Sequence, residues 1–146
     1  MSTVLLPITL ASAGAAALMN VWIATRVGGA RTTAKVSIGD GGNAALTARM
    51  RAHSNFVEYT PFVLILIGLI EYNIGSPVWL QIVSAVYLLG RVAHPLGMDG
   101  MRLARMIGTI TTLLILAGLG IYAAALPYIG SSKATPTAIE LAPAKG

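Results

Sequence analysis

The segment Arg51-Ala-His-Ser-Asn55-Phe-Val-Glu58-Tyr59-Thr-Pro61 concentrates the residues best suited to chemistry. It sets an arginine, a histidine, an asparagine and a glutamate at the mouth of an otherwise apolar stretch. Positions 51, 55, 58 and 59 follow an i, i+4, i+7, i+8 spacing, so a helix places them on one stripe. Ionisable groups in hydrocarbon are costly. A chain that keeps such groups on one helical face is holding a polar ligand or a partner helix there.

Further polar residues extend the set: Arg26, Arg31, Arg49, His53, Arg91, His94, Arg102 and Arg105. The collection is cationic, with one or two carboxylates, and attracts an anionic small molecule. Arginine forks onto carboxylates bidentately, a glutamate accepts from an ammonium, and an asparagine both donates and accepts. A zwitterionic, peptide-like ligand with more than one carboxylate fits that inventory. The alternative is that Glu58 pairs with Arg51 or Arg91 and only fixes helix register. One carboxylate cannot neutralise so many arginines, so an external anion is expected.

Other chemistries find less support. His53 and His94 lie on different elements with no carboxylate at ligand spacing, so no metal site is expected. The chain has no cysteine, which excludes disulfides, thiolate metal sites and a cysteine nucleophile. No Ser-His-Asp set is apparent, and Asp99 lies beside a loop with no partner assignable from sequence. Ser37-Ile-Gly-Asp-Gly-Gly-Asn43 is turn chemistry; it follows no strand and does not match a phosphate-binding loop.

The elements that must position these residues are membrane helices. The chain has 146 residues, of which 55% are hydrophobic and 10% charged, against about 25% charged in ordinary soluble domains. Four apolar stretches, roughly 4–25, 56–74, 78–97 and 106–126, each approach the ~20 residues that cross a bilayer. Arg91 and His94 interrupt the third. The first has no Lys or Arg before Arg26 and reads as a retained helix rather than a signal peptide. The second is expected to begin near residues 49–53 and to bend at Pro61, which frees a backbone carbonyl near residue 57. Gly75-Ser76-Pro77 is a tight hairpin turn, and residues 95–100 are expected to break the third helix.

The expected architecture is therefore all-α, an integral membrane four-helix bundle over residues 1–130. Residues 131–146 read as a flexible polar tail. The net charge of +5 does not imply nucleic acid, because of where the charge lies. Eight of the ten Lys and Arg residues fall in or beside the connections 26–52 and 91–105. The positive-inside rule puts those connections in the cytoplasm and both termini outside.

Residues 51–61, together with Arg91-Val-Ala-His94-Pro-Leu-Gly-Met98, resemble the MAPEG family, the membrane-associated proteins in eicosanoid and glutathione metabolism. The Arg-Ala-x-x-Asn-x-x-Glu-Tyr-x-Pro pattern carries the likeness, and Val36-Ser-Ile-Gly-Asp-Gly-Gly42 is similar to the bacterial branch. The resemblance covers roughly residues 4–128. It implies a homotrimer of four-helix subunits in the bacterial inner membrane, with glutathione in a cytoplasm-facing cleft between neighbours.

By motif, Arg51, Asn55, Glu58 and Tyr59 would grip the tripeptide, with His53 at the same mouth. Arg91 and His94 would flank the thiol end. Arg105 falls where the family places the arginine that stabilises the thiolate, a role open also to Arg102, and Arg31 is a further candidate for a glutathione carboxylate. The chain departs from several eicosanoid enzymes in having His94 and Met98 where they have tyrosines.

The implied activity is glutathione transfer to lipophilic electrophiles, as in detoxification, with glutathione-dependent peroxidase activity as a related reaction. Glutathione is the co-substrate, no metal is required, and the bilayer supplies the apolar partner between helices 1 and 4 of neighbouring subunits. A non-catalytic glutathione-binding or scaffold protein of the same family is the alternative. A small transporter is a third reading, but it would need a carboxylate deep in the first helix, and there is none before Arg26.

Overall fold

The structure, a computed structural model, describes residues 4–130; the expected polar tail, 131–146, lies outside the described residues. Four helices account for nearly all of it: α1 (Pro7–Ala34), α2 (Ala44–Ile74), α3 (Val78–Met98) and α4 (Arg102–Gly130). The described residues contain no strand.

Local chemistry sets the helix ends, and these lie beyond the limits that hydropathy suggests. α1 continues past Thr25 to Ala34 and stops where Lys35 turns left-handed (φ 54°), with Val36 N donating to Arg31 O at 3.1 Å. α2 begins at Ala44 rather than near residues 49–53, because Asn43 caps it: Asn43 Oδ1 accepts from Leu46 N at 3.0 Å. The long connection expected over 26–52 is thus a short turn at 35–43. α2 runs on through Pro61 as one helix. α3 also runs through Pro95, where a break was expected, and ends at Met98. The stop comes at Gly100, whose φ of 132° is open only to glycine. Apolar runs mark where hydrocarbon ends, whereas caps and glycines mark where the backbone ladder ends.

The start of α1 is secured from another helix. Pro7 occupies the first turn, where its missing N–H costs nothing. The next amides have no capping side chain of their own. Glu71 of α2 supplies the cap: Ile8 N donates to Oε1 at 2.9 Å and Thr9 N to Oε2 at 2.7 Å. Thr9 Oγ1 and Ser76 Oγ complete the set, each at 2.6 Å. A buried carboxylate at a helix N-terminus satisfies orphan donors and complements the helix dipole.

α1 packs on α2 and α3, α2 also meets α4, and the most extensive pairing is α3 with α4. Among the described residues α1 and α4 do not pack together. Glycines let α3 and α4 approach closely. A Cβ at Gly108 would lie 2.6 Å from Gly90 O and 2.8 Å from His94 N, and one at Gly97 would collide with the backbone of Arg105.

The core runs along the bundle as Ile8, Val63, Ile67, Ile70, Leu80, Tyr87 and Leu119, with Ala16, Ile23 and Phe56 forming a second cluster. Polar rungs cross it: the hydroxyls of Ser12 and Ser84 pair, and Tyr87 Oη donates to Thr60 Oγ1 at 2.9 Å. Outside the core much of the surface along the helices is apolar. α1, α2 and α4 are long and apolar enough to cross a membrane. Only 11% of the most apolar window of α4 is buried, so its outer face needs lipid or another protein against it.

Candidate functional site

At one end of the bundle the end of α1, the start of α2 and the α3–α4 turn converge. Asp99, for which the sequence offered no partner, receives two. Arg26 Nη2 donates to Asp99 Oδ2, and Arg49 Nε lies 3.4 Å from Asp99 Oδ1. Arg49 Nη1 donates to Arg26 O at 3.3 Å, and Arg26 stacks over Trp22 at 5.0 Å. In the α1–α2 turn, Asp40 accepts from Gly42 N at 3.1 Å and Thr47 Oγ1 at 2.9 Å. Those bonds, Gly42 foremost, hold its carboxyl below the usual carboxylate range.

Beside this end lies a cavity of 150 Å³ lined by Arg51, Ser54, Asn55 and Glu58 of α2 with His94 and Met98 of α3. Arg51, Asn55 and Glu58, three of the four residues of the expected stripe, therefore supply one wall. Arg51 and Glu58 are exposed, Ser54 and Asn55 half-buried, and His94 buried. Arg91 lies behind them and is 0% exposed. Its Nη1 donates to Asn55 Oδ1 at 2.8 Å and to Thr112 Oγ1 at 3.3 Å, and its guanidinium sits 5.2 Å from the Phe56 ring centre.

Arg91 keeps Nε and Nη2 without a hydrogen-bond partner, as His94 does Nδ1. No carboxylate compensates it, for the ion pairs among the described residues are those of Asp99. Glu58 accordingly pairs with neither Arg51 nor Arg91 there. Because a guanidinium can only donate, Asn55 must turn its oxygen inward, which leaves its NH2 group for the cavity. The cavity thus offers an exposed cation, an amide donor, a carboxylate and an imidazole, above a buried uncompensated charge.

The remaining expected residues lie elsewhere. Tyr59 is half-buried on α2 and does not line the cavity. His53 Nε2 hydrogen-bonds Asn20 Oδ1 at 2.9 Å on the α1 side of α2. Arg31 is engaged by the α1–α2 turn, with Nη1 donating to Gly39 O at 2.8 Å and to Ser37 O at 3.3 Å. Arg102 and Arg105 are exposed at the start of α4. The Arg105 backbone abuts Gly97, the neighbour in sequence of the cavity residue Met98. Ser54, Asn20 and Thr112 had not stood out in the sequence. Each is an uncharged polar residue, visible only once its neighbour on another helix is known.

A four-helix bundle with long apolar helices and a polar cavity at one end defines an integral membrane protein. The MAPEG family model matches residues 9–125, and the chain belongs to that family. The inner membrane protein YecN of Escherichia coli K12 is 39% identical over 64 residues, which cover 43% of this chain and 48% of YecN. YecN of the O6:H1 strain CFT073 gives the same values. The match therefore spans about half the length of these relatives.

Proposed function

We propose that the protein is a membrane-embedded glutathione transferase that conjugates glutathione to lipophilic electrophiles. The observation that carries this reading is the cavity in which Arg51, Asn55, Glu58 and His94 meet above the uncompensated cation of Arg91. Glutathione offers two carboxylates, an ammonium and a thiol. Arg51 forks onto a carboxylate, Glu58 accepts from the ammonium, and Asn55 donates its NH2 to a carboxylate or carbonyl oxygen. Buried Arg91 adds long-range attraction without touching the ligand.

A thiol with a pKa near ~8.5 is mostly protonated at neutral pH, and a neighbouring cation shifts it toward the reactive thiolate. Arg105 serves here because a guanidinium keeps its proton. The thiol proton leaves to water. Sulfur then attacks the electrophilic carbon, a C–S bond forms, and the leaving group departs with the bonding pair. With a hydroperoxide, two glutathione molecules give the disulfide, an alcohol and water. Positioning and thiolate stabilisation supply most of the acceleration.

The proposed assembly is a homotrimer in the inner membrane with the basic end toward the cytoplasm. Three observations support a cleft shared between copies. Arg105 and His53 lie outside the cavity of their own chain, α1 and α4 do not pack together, and α4 leaves its apolar face uncovered.

A second reading is a glutathione-binding protein without chemistry. It is favoured by the absence of Arg102 and Arg105 from the cavity lining. Calorimetric titration of glutathione into detergent-purified protein, beside an assay for conjugation of a lipophilic aryl halide, separates the two. The transferase reading expects saturable binding, lost in Arg51→Ala, together with conjugate formation. Binding without conjugation of any electrophile supports the second reading, and no binding at all contradicts both.

A further inference from the structure

The three-residue turn between α3 and α4 is held by backbone bonds, Asp99 N to Leu96 O at 3.2 Å and Gly100 N to Gly97 O at 3.1 Å, and by ions. Asp99 closes α3, Gly100 has a φ of 132°, and exposed Met101 leads into α4. A glycine in that conformation offers little resistance to pivoting. What ties the turn to the other helices is the Asp99 carboxylate, gripped by Arg26 from α1 and Arg49 from α2. These two arginines are themselves fixed, Arg26 by Trp22 and Arg49 by the Arg26 carbonyl.

The restraint passes directly into the start of α4. Met101 O accepts from Arg105 N at 3.1 Å, the bond that begins the helix. On its other side, Arg105 rests against Gly97. The Asp99 clamp and the Gly97 contact together fix where the Arg105 side chain leaves the backbone. This inference rests on the transferase reading, in which Arg105 stabilises the thiolate.

We infer that Asp99 is a positioning residue for the thiolate-stabilising arginine, acting through its clamp by Arg26 and Arg49. The sign of its effect separates positioning from simple electrostatics. Asp99 is an anion, and its neighbour in sequence, Met98, lines the cavity that must hold an anion. Removing its charge without moving anything favours the thiolate. If it positions Arg105, its removal disfavours the thiolate. The clamp is partly exposed, with 35% of the Asp99 side chain accessible, so salt weakens it.

The test uses two readouts on the full-length protein in detergent. The chain has no cysteine, so Met101→Cys accepts a single nitroxide, and its spectrum reports turn mobility. The ultraviolet thiolate band of bound glutathione is followed against pH in the cysteine-free protein. In Asp99→Asn the inference expects a more mobile label and a ~3–10-fold smaller thiolate fraction at pH 7, with helical content unchanged and with recovery in Asp99→Glu. An unchanged label, or a thiolate fraction that stays level or rises while wild type shows the band, overturns the inference and leaves the transferase reading intact. If wild type shows no band, the transferase reading fails and takes this inference with it, whatever the label does.

Discussion

Arg91 is the residue that sets this cavity apart from an ordinary polar notch. It is fully buried, it meets no carboxylate among the described residues, and two of its nitrogens have no partner. A buried cation of this kind opposes folding, and an apolar side chain of similar volume removes that desolvation cost, offset by the two acceptors it leaves on Asn55 and Thr112. Arg91→Met is therefore expected to leave the thermal midpoint in detergent unchanged or raised. It should also release the Asn55 oxygen, and glutathione affinity should fall severalfold as the long-range attraction of the buried cation is lost. A lowered midpoint with unaltered affinity would give Arg91 a purely structural role. Much of this site could be read from the chain, because Arg51, Asn55 and Glu58 share one helix and periodicity alone aligns them. The Arg26–Asp99 pair could not, since its partners stand 73 residues apart on elements whose relative placement no local pattern encodes.

The helices show the same division. Their number and apolar cores follow from hydropathy, and Gly75-Ser76-Pro77 marks its turn plainly. Their ends do not follow, because helix continues beyond the apolar span until a cap such as Asn43 or a turn glycine such as Gly100 intervenes. Nor does sequence disclose that Glu71, near the end of α2, caps the start of α1. Four donors converge on that carboxylate, two of them backbone amides. Glu71→Ala leaves those amides without partners at a buried helix end, at a cost of roughly 2 kcal/mol or more. The expected result is a lower thermal midpoint with hydrogen exchange quickened first at Ile8 and Thr9, and glutathione affinity nearly unchanged. Quickened exchange at the Arg26–Asp99 end instead would mean that the two ends of the bundle are coupled.

At the scale of the molecule, one chain leaves its account unfinished. α4 exposes most of its apolar length, and Arg105 stands outside the cavity it is proposed to serve. A second copy laid against α4 would cover the apolar face and could bring an arginine to a neighbour's cavity. Native mass spectrometry of protein released from detergent is expected to give three times the 15.1 kDa chain mass. A monomer that still binds glutathione would place the whole site within one chain. The thiolate of bound glutathione is what Arg105 is proposed to stabilise, and one titration reads it. Glutathione is added at neutral pH to wild type and to Arg105→Ala, and the ultraviolet thiolate band is recorded beside calorimetric binding. The expected result is a band with wild type that vanishes in Arg105→Ala while binding persists. A band of equal strength in both proteins, or none in a wild type that binds glutathione, would contradict it.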